Sequence, residues 1–234
     1  MNDFLKILNE WNICIDDHQA ELLEKYYELL ITWNSKINLT SITDRKEVYI
    51  KHFADCIALC RYVDPSDRSL IDIGTGAGFP GMVLKIMCPL CHIVLADSLG
   101  KRIGFLEEVI EKLDLSDIKT IHARAEDLAR DDLYRERFDI VVSRAVANLA
   151  VLSEYCLPFV NINGTFVSYK SGIVDDELSS ADNAINILGG QFDKIEKFRI
   201  PFTEYDRSLV FIQKIRETDK KYPRKAGVPS RKPL

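Results

Sequence analysis

Long apolar runs are absent from this chain of 234 residues. No stretch of 18 apolar residues occurs, so no segment is long enough to cross a bilayer as a helix. The N-terminal sequence MNDFLKILNEWN carries acids among its apolar residues, unlike a secretory signal peptide. We therefore expect a cytoplasmic protein without membrane contact. The net charge of −5 argues against a surface that is basic throughout.

Metal-site and phosphate-loop motifs are also missing. Cys88 and Cys91 form a CxxC, but no second CxxC or CxxH follows to complete a zinc site. No GxxxxGK[ST] sequence occurs, which excludes a P-loop. We expect no metal centre, and we interpret the six cysteines as reduced, mostly buried structural thiols.

The chain divides into three parts by pattern. Residues 1–65 show helical spacing of apolar residues, with Asp16 and Asp44 placed as N-caps and a break at Pro65. Residues 66–216 alternate short apolar runs with amphipathic stretches. Residues 217–234 form a basic C-terminal segment. We predict a helical extension, one catalytic domain and an arm, respectively.

The alternation in the central part predicts an α/β fold with a mostly parallel sheet and helices on both faces. FDKIEKFRI and RSLVFIQKI then follow each other without room for a long helix, which predicts an antiparallel pair and seven strands in all. The first five predicted strands are 70–73, 92–97, 118–123, 138–143 and 165–170, and the intervening helices begin near Phe79, Leu99, Glu126, Asn148 and Val174.

The sequence LIDIGTGAGFPG places a glycine-rich turn directly after the first strand. Gly76, Gly78 and Gly81 match GxGxxG, and Asp97 ends the second strand, where it can bind a ribose. A dinucleotide site is therefore allowed. Asp72 favours a different ligand, because a carboxylate there repels a pyrophosphate.

S-adenosylmethionine, with its ammonium and sulfonium groups, suits Asp72 better. The spacing places Gly74, Gly76 and Gly78 beneath its methionine portion and Asp97 at its ribose. A tight turn with a solvated Asp72 is the alternative interpretation.

Two further strand ends fit the same ligand. Ala125 and Glu126 follow the third strand, where an adenine edge can be read, or they simply favour the start of a helix. Arg144 follows the fourth strand and can hold the methionine carboxylate or the substrate. It can equally be an ordinary surface arginine.

The motifs LIDIGTGAGFPG, LADSLGKRIGFL, ARAEDL, VVSRAVANL and YPRKAGVPSRKPL together closely resemble the glucose-inhibited division protein B family. The resemblance extends from about Trp33 to Leu234 and implies a Rossmann-like class I S-adenosylmethionine-dependent methyltransferase. It further implies methylation of N7 of a guanine in 16S rRNA, guanine 527 in the family's rRNA numbering. The donor-binding positions that it implies are Gly74, Phe79, Asp97, Ala125, Glu126 and Arg144. Gly104 departs slightly from the pattern, because a bulkier or basic residue is expected there.

The missing catalytic motifs agree with that chemistry. SRAV replaces the [DNS]PP[FYW] motif used to methylate exocyclic amines, and Cys156 lies inside a predicted helix instead of at a strand end. Guanine N7 has a free lone pair and needs no base, so positioning supplies most of the catalysis. We therefore predict no catalytic acid or base.

The RNA partner, 16S rRNA in the small ribosomal subunit, requires basic contacts to its backbone. The last fifteen residues contain six basic residues, three prolines and no acids, so we predict an exposed arm whose removal leaves cofactor affinity intact. We expect the protein itself to be a monomer. The candidate contacts are Lys101, Arg102, Arg124, Lys170, Lys220, Lys221, Arg224, Lys225, Arg231 and Lys232.

Several alternatives remain open at this point. A small-molecule methyltransferase, an NAD-dependent oxidoreductase and a ribosome-binding factor without catalysis all share parts of the pattern. Asn34, Asn38 and Thr40 can either contact a ligand or only form a turn. His52 and Asp55 share a helix face, where a structural pair is favoured over a catalytic one.

Overall fold

The computed structural model describes residues 2–144, 147–172 and 174–234. Helices and strands alternate through its central part, as the sequence predicts. The helices are α1 (Asn2–Glu10), α2 (Asp17–Asn34), α3 (Arg45–Val48), α4 (Asp55–Ile57), α5 (Gly81–Met87), α6 (Gly100–Lys112), α7 (Ala125–Leu128), α8 (Leu149–Cys156), α9 (Asp175–Ile187) and α10 (Val228–Arg231). The strands are β1 (Ser69–Ile73), β2 (His92–Asp97), β3 (Ile118–His122), β4 (Phe138–Arg144), β5 (Val160–Ser171), β6 (Gly190–Arg199) and β7 (Asp206–Lys214).

The seven strands form one sheet in the order β3-β2-β1-β4-β5-β7-β6. β1 to β5 pair in parallel, whereas β7 is antiparallel to both β5 and β6. The predicted mostly parallel sheet and its antiparallel end are therefore confirmed. The strand order reverses between β1 and β4, and ligands of open α/β sheets bind at such a point, outside the carboxyl ends of the strands.

The N-terminal helices pack on one face of this sheet. Phe4, Leu23 and Tyr26 belong to the same buried cluster as Leu95 on β2 and Phe105 on α6. Asp16 and Asp44 cap α2 and α3 as predicted, since their carboxylates accept from the N–H groups of Gln19 and Glu47 at 2.7 and 3.0 Å. The helices thus share a core with the sheet.

A π-helical turn, Tyr49–Ala54, interrupts the third predicted helix between α3 and α4. Single π turns inside helices are frequent at functional sites, because they re-aim the side chains that follow. This turn carries His52, and Asp55 comes directly after it. Both side chains point toward the carboxyl end of β4, where Arg144 lies.

The C-terminal segment packs against the domain, so the prediction of an exposed arm is wrong. Tyr222 is only 9% exposed and belongs to the core on the other face of the sheet. Pro223 and Pro229 are buried as well. A basic, proline-containing composition indicated disorder, but one aromatic side chain and two prolines supply enough apolar surface to dock a short segment.

Gly104 lies inside α6, and a Cβ built there meets no heavy atom of the described structure within 4 Å. We expect Gly104→Ala to stabilise the fold by about 0.5–1 kcal/mol, because glycine weakens a helix interior by that amount. Urea denaturation measures the change. Gly81→Ala is the matched control and should destabilise, since its Cβ overlaps Leu95 and touches Asp72. A loss of stability for Gly104→Ala would contradict the open space seen beside it.

Candidate methyl-donor site

The glycine-rich turn between β1 and α5 is fastened to the end of β2. The N–H groups of Gly74 and Thr75 both donate to the Ala96 carbonyl, at 2.9 and 3.1 Å. The Gly76 N–H donates to Asp97 Oδ2 at 2.9 Å. Gly74 and Gly76 have φ values of +70° and +62°, a region that favours glycine. The turn therefore keeps its backbone open toward the sheet edge.

Asp97 lies at the junction of two cavities at this edge. The first, which we call the Glu126 cavity, has a volume of about 180 Å³. The second, the Arg144 cavity, has a volume of about 390 Å³. Gly74, Asp97 and Ser98 line both. The Glu126 cavity is otherwise bounded by Ile73, Ala96, Ala123, Arg124, Ala125, Glu126, Tyr155, Gly227 and Ser230, and the Arg144 cavity by Leu39, Thr40, His52, Thr75, Gly76, Ala77, Phe79, Arg102 and Arg144.

These two cavities fit S-adenosylmethionine, which has an adenine and a methionine on opposite sides of a ribose. Asp97 is placed at the junction, where a carboxylate can accept from ribose hydroxyls. Glu126 and Ala125 line one end, and Arg144 and Phe79 line the other. The predicted positions Gly74, Gly76, Phe79, Asp97, Ala125, Glu126 and Arg144 are thus brought together along one continuous surface.

Asp72 has a different place from the one predicted. It is fully buried beneath the turn, outside both cavities. Its Oδ2 accepts from Thr75 Oγ1 at 2.7 Å and from the Gly81 N–H at 2.8 Å, whereas Oδ1 has no partner. Asp72 therefore supports the turn from within, and the argument that it repels a pyrophosphate directly no longer holds.

Burial raises the pKa of Asp72 from 3.8 to about 6, against the opposing effect of its two hydrogen bonds. A raised pKa means that the folded state binds the Asp72 proton more tightly than the unfolded chain does, so the protonated carboxyl contributes to stability below about pH 4. That contribution is lost as the pH rises from about 4 to 6, because ionisation opposes folding. We expect Asp72→Asn to stabilise the protein by about 2–3 kcal/mol above pH 7, and to have little effect below pH 4.

The measurement is the difference between the urea unfolding free energies of the variant and the wild type across this pH range. Taking a difference removes the opposite trend of other groups, such as His52. A difference that stays flat between pH 4 and 7 would contradict the raised pKa.

Gly78 is also absent from both cavity linings, although the sequence placed it under the ligand. A Cβ at Gly78 would lie 2.7 Å from the Tyr26 hydroxyl and 2.9 Å from Leu106. The Tyr26 hydroxyl donates to the carbonyl of Ala77 next to it. Gly78 therefore allows α2 to pack closely on the turn. A glycine needed for close packing and a glycine needed for ligand binding look the same in the sequence pattern.

Arg144 joins the N-terminal helices to the sheet edge. Its Nη1 donates to Asp55 Oδ2 at 3.1 Å and to the Lys51 carbonyl at 3.3 Å. Its guanidinium lies 4.9 Å from the centre of the Phe79 ring, a cation–π contact. Asp55 is 6% exposed and is paired on its other oxygen with Arg207 at 3.1 Å. Arg144 is thus a fixed cation whose side chain is 14% exposed.

His52 completes this group, and the sequence reasoning underestimated it. Its ring stacks on Phe79 with centroids 4.6 Å apart. Its Nδ1 lies 3.2 Å from Arg144 Nη2, which can only donate, and 3.2 Å from the Lys51 carbonyl oxygen, which can only accept. Its Nε2 lies 2.9 Å from Thr40 Oγ1. Burial and the Arg144 charge lower the pKa of His52 from 6.5 to about 3, so the ring is neutral.

A third cavity of about 310 Å³ adjoins the Arg144 cavity across His52 and Arg144. Lys51, Lys170 and Arg207 also line it. We call it the Arg207 cavity. The sequence signals for this region were the i, i+3 spacing of His52 and Asp55 and the candidate residues Arg144 and Lys170. Ala145, which follows Arg144 in the SRA sequence, lies outside the described residues.

Some of the predicted RNA contacts are exposed, some pair with other groups of the chain, and Lys221 and Arg231 do both. Arg102 pairs with Asp97 at 3.3 Å, Lys170 with Glu177, and Arg224 with Glu154 at 2.6 Å. Lys221 pairs with Asp219, and Arg231 Nε donates to the Gly227 carbonyl. The exposed candidates are Lys101, Arg124, Lys220, Lys221, Lys225, Arg231 and Lys232.

The cysteines are free thiols, as expected, but Cys14 is exposed. Cys91 Sγ donates to the Arg68 carbonyl at 3.3 Å, and Cys88 Sγ lies 3.8 Å from Cys60 Sγ. Within residues 2–144, 147–172 and 174–234, no cluster of His, Cys, Asp and Glu could hold a metal ion. No helix in these ranges is long and apolar enough to cross a membrane.

Solved methyltransferase structures share the fold. TYW2 of M. jannaschii in complex with AdoMet superposes with a TM-score of 0.58 at 12% identity, covering 77% of this chain and 80% of that chain. TrmN from Thermus thermophilus superposes with a TM-score of 0.54 at 18% identity, covering 70% of this chain and 49% of that one. The predicted Rossmann-like class I methyltransferase fold is therefore confirmed.

Other proteins are much more similar to this chain in sequence than these structures are. Ribosomal RNA small subunit methyltransferase G of Acetivibrio thermocellus is 48% identical over 96% of this chain and 92% of its own length. The protein of the same name from Bacillus subtilis (strain 168) is 46% identical over 100% and 98%, respectively. The family model GidB, rRNA small subunit methyltransferase G, matches residues 19–210. The predicted cofactor, S-adenosylmethionine, is confirmed with the family. This chain belongs to the GidB family of S-adenosylmethionine-dependent methyltransferases.

Proposed function

We propose that this protein transfers the methyl group of S-adenosylmethionine to N7 of a guanine in 16S rRNA, guanine 527 in the family's rRNA numbering. The names of its relatives support a substrate in the small ribosomal subunit. The choice of N7 is supported by the chemistry of the Arg144 cavity. Guanine N7 carries a free lone pair, so its methylation requires no proton acceptor.

The observation that carries this proposal is the state of the potential bases near the Arg144 cavity. Both ring nitrogens of His52 lie within hydrogen-bond distance of neighbouring groups, and burial lowers the pKa of its side chain to about 3, so it takes no proton near neutral pH. Both Asp55 oxygens face arginines, and both Asp97 oxygens accept hydrogen bonds. In the part of the chain that the structure describes, the site is therefore suited to an unassisted nucleophile.

The bound cofactor supplies an electrophilic methyl group. This chain's residues then have three tasks: Asp97 and Glu126 hold the adenosine portion, Arg144 offers positive charge to the carboxylate end, and Phe79 with His52 forms a flat apolar wall. Holding two reactants in line can lower a barrier by about 7–11 kcal/mol. Fixed, mutually bonded side chains such as Arg144 and His52 are suited to that task.

The RNA must reach this wall with its backbone held by basic side chains. We propose that Lys101 and Arg124 and the exposed lysines of the C-terminal segment provide such contacts, and that Lys51 and Arg207 add others at the Arg207 cavity. Lys170, Arg102 and Arg224 are less suited, because each already pairs with a carboxylate. A base inside folded RNA must also leave its stack, at a cost of a few kcal/mol. We further propose a cytoplasmic monomer.

The test is to map methyl groups on 16S rRNA from cells with and without this gene. We expect loss of one N7-methylguanine on deletion, restoration by the wild-type gene, and no restoration by Gly74→Val. Gly104→Ala should restore it fully. Loss of a methyl group at any other atom would disprove the N7 assignment.

Calorimetry separates the remaining alternatives. S-adenosylhomocysteine should bind, whereas NAD should give no heat. Methylation of a metabolite together with an unchanged rRNA map would favour a small-molecule enzyme. Failure to bind S-adenosylhomocysteine would indicate a factor without catalysis.

A further inference from the structure

The C-terminal segment, residues 217–234, contributes directly to the Glu126 cavity. Gly227 and Ser230 form part of its lining, together with Gly74 and Ala96. The Gly227 N–H donates to Glu126 Oε1 at 2.9 Å, across 101 positions of sequence. Glu126 is only 5% exposed. The end that the sequence assigned to RNA alone is thus one wall of the space that fits the adenosine portion.

This wall is held by polar contacts away from the cavity. Arg224 Nη2 and Nε donate to the two oxygens of Glu154 at 2.6 and 2.9 Å, and the Arg224 N–H donates to Oε1 at 2.7 Å. Glu154 is 1% exposed. Paired, charge-assisted bonds of this kind are among the strongest in proteins.

A second arginine holds the beginning of the segment. Arg135 donates to the carbonyls of Thr218 and Tyr222 at 2.7 and 2.9 Å. Thr218 and Tyr222 are themselves buried. Side chains of the methyltransferase domain therefore hold the segment at residues 218, 222 and 224, while Lys220, Lys221 and Lys225 remain exposed.

We propose that the C-terminal segment is part of the methyl-donor site: Gly227 to Ser230 closes the Glu126 cavity over the adenosine portion, so donor binding and segment docking stabilise each other. Undocking removes the hydrogen bond that orients Glu126 and opens the cavity to water. A ligand that binds one of two states better shifts the population toward that state, and the coupling is reciprocal. The proposal depends on the cofactor and is independent of which base is methylated.

The first experiment follows trypsin cleavage after Lys220, Lys221 and Lys225 in the full-length protein, with and without saturating S-adenosylhomocysteine. Cleavage of a docked segment requires local opening. We expect the ligand to slow cleavage in this segment by about tenfold, because cleavage follows the undocked fraction and the ligand lowers that fraction. A cleavage rate that S-adenosylhomocysteine leaves unchanged would overturn the proposal.

The second experiment uses Glu154→Gln, which weakens the Arg224 contact without changing a residue of the cavity lining. We expect faster cleavage of the segment and, by calorimetry, an affinity for S-adenosylhomocysteine reduced by about tenfold, since only the docked fraction binds well. Asp206→Asn is the control, because it weakens another arginine–carboxylate pair, with Arg199, outside the lining of the Glu126 and Arg144 cavities. It should bind as the wild type does.

A chain ending at residue 217 gives the limiting case and reverses the expectation from sequence. Its affinity for S-adenosylhomocysteine should fall by more than that of Glu154→Gln. Far-UV circular dichroism distinguishes this loss from unfolding. A folded truncated chain, or a faster-cleaved Glu154→Gln, that binds S-adenosylhomocysteine with wild-type affinity would show that the segment only covers the surface.

Discussion

Replacing Arg144 with alanine is expected to destabilise the protein by about 3 kcal/mol and to slow methyl transfer by about 100-fold. The stability loss follows from Asp55, which is 6% exposed and would keep only Arg207 as a cationic partner. Removing one member of a buried ion pair costs about 3–5 kcal/mol, because a charge is left without its partner. Because Asp55 keeps its contact with Arg207, we expect a loss of stability at the lower end of this range.

The activity loss has a separate cause. Arg144 simultaneously contacts Phe79, His52 and the Lys51 carbonyl, so it fixes the position of the N-terminal helices against the sheet edge. A displacement of about 1 Å in a site that works by positioning reduces the rate by about 100-fold. Urea denaturation measures the stability, and methylation of the small-subunit substrate measures the rate.

The pKa of His52 provides a separate measurement, because a general loss of stability would not change it. Burial is the main reason that its pKa is lowered to about 3, and the Arg144 charge is the second. In Arg144→Ala the pKa should rise toward 6.5, as followed by NMR of the ring. Arg144→Lys is the matched control, because it retains a positive charge near Asp55 but loses the planar set of donors. An unchanged His52 pKa in Arg144→Ala would contradict the contact.

Gly74→Val is expected to weaken S-adenosylhomocysteine binding by more than about 100-fold, which corresponds to about 2.7 kcal/mol. Gly74 lines both the Glu126 and the Arg144 cavities, so a valine side chain intrudes where they meet. Its φ of +70° adds backbone strain of about 1–3 kcal/mol for a β-branched residue. Both effects act on the same turn.

Calorimetric titration with S-adenosylhomocysteine measures this change. Gly104→Ala is the control, because Gly104 is also a glycine of the central domain but lies outside both cavities. It should bind with wild-type affinity. Undiminished affinity of a folded Gly74→Val protein would remove this turn from the donor site.

Local patterns in the sequence predicted the elements well, and the reason is physical. The apolar runs 70–73 and 92–97 lie within β1 and β2, and the predicted helix starts at Leu99 and Asn148 are the N-caps of α6 and α8. Parallel strands buried on both faces need continuous apolar runs, and helices need one apolar face. Both requirements act over a few neighbouring residues, so they are visible in sequence.

The errors have the opposite origin. Asp72 and Gly78 were placed in the ligand site because the motif contains them, but their roles depend on Thr75, Gly81 and Tyr26, which fold around the turn. The C-terminal segment was predicted to be exposed from its composition, but the side chains that dock it, Arg135 and Glu154, lie far away in the sequence. Composition averages over a segment and does not show a partner elsewhere in the chain.

The sequence by itself thus determined the order of strands and helices, the glycine-rich turn and the family to which the chain belongs. Only the tertiary structure decided which of those residues meet: Arg144 with His52 and Asp55, and Gly227 with Glu126. Hydrophobic periodicity is a local property of the chain, whereas a buried charge or hydrogen-bonding group is satisfied by whichever residue the fold brings beside it.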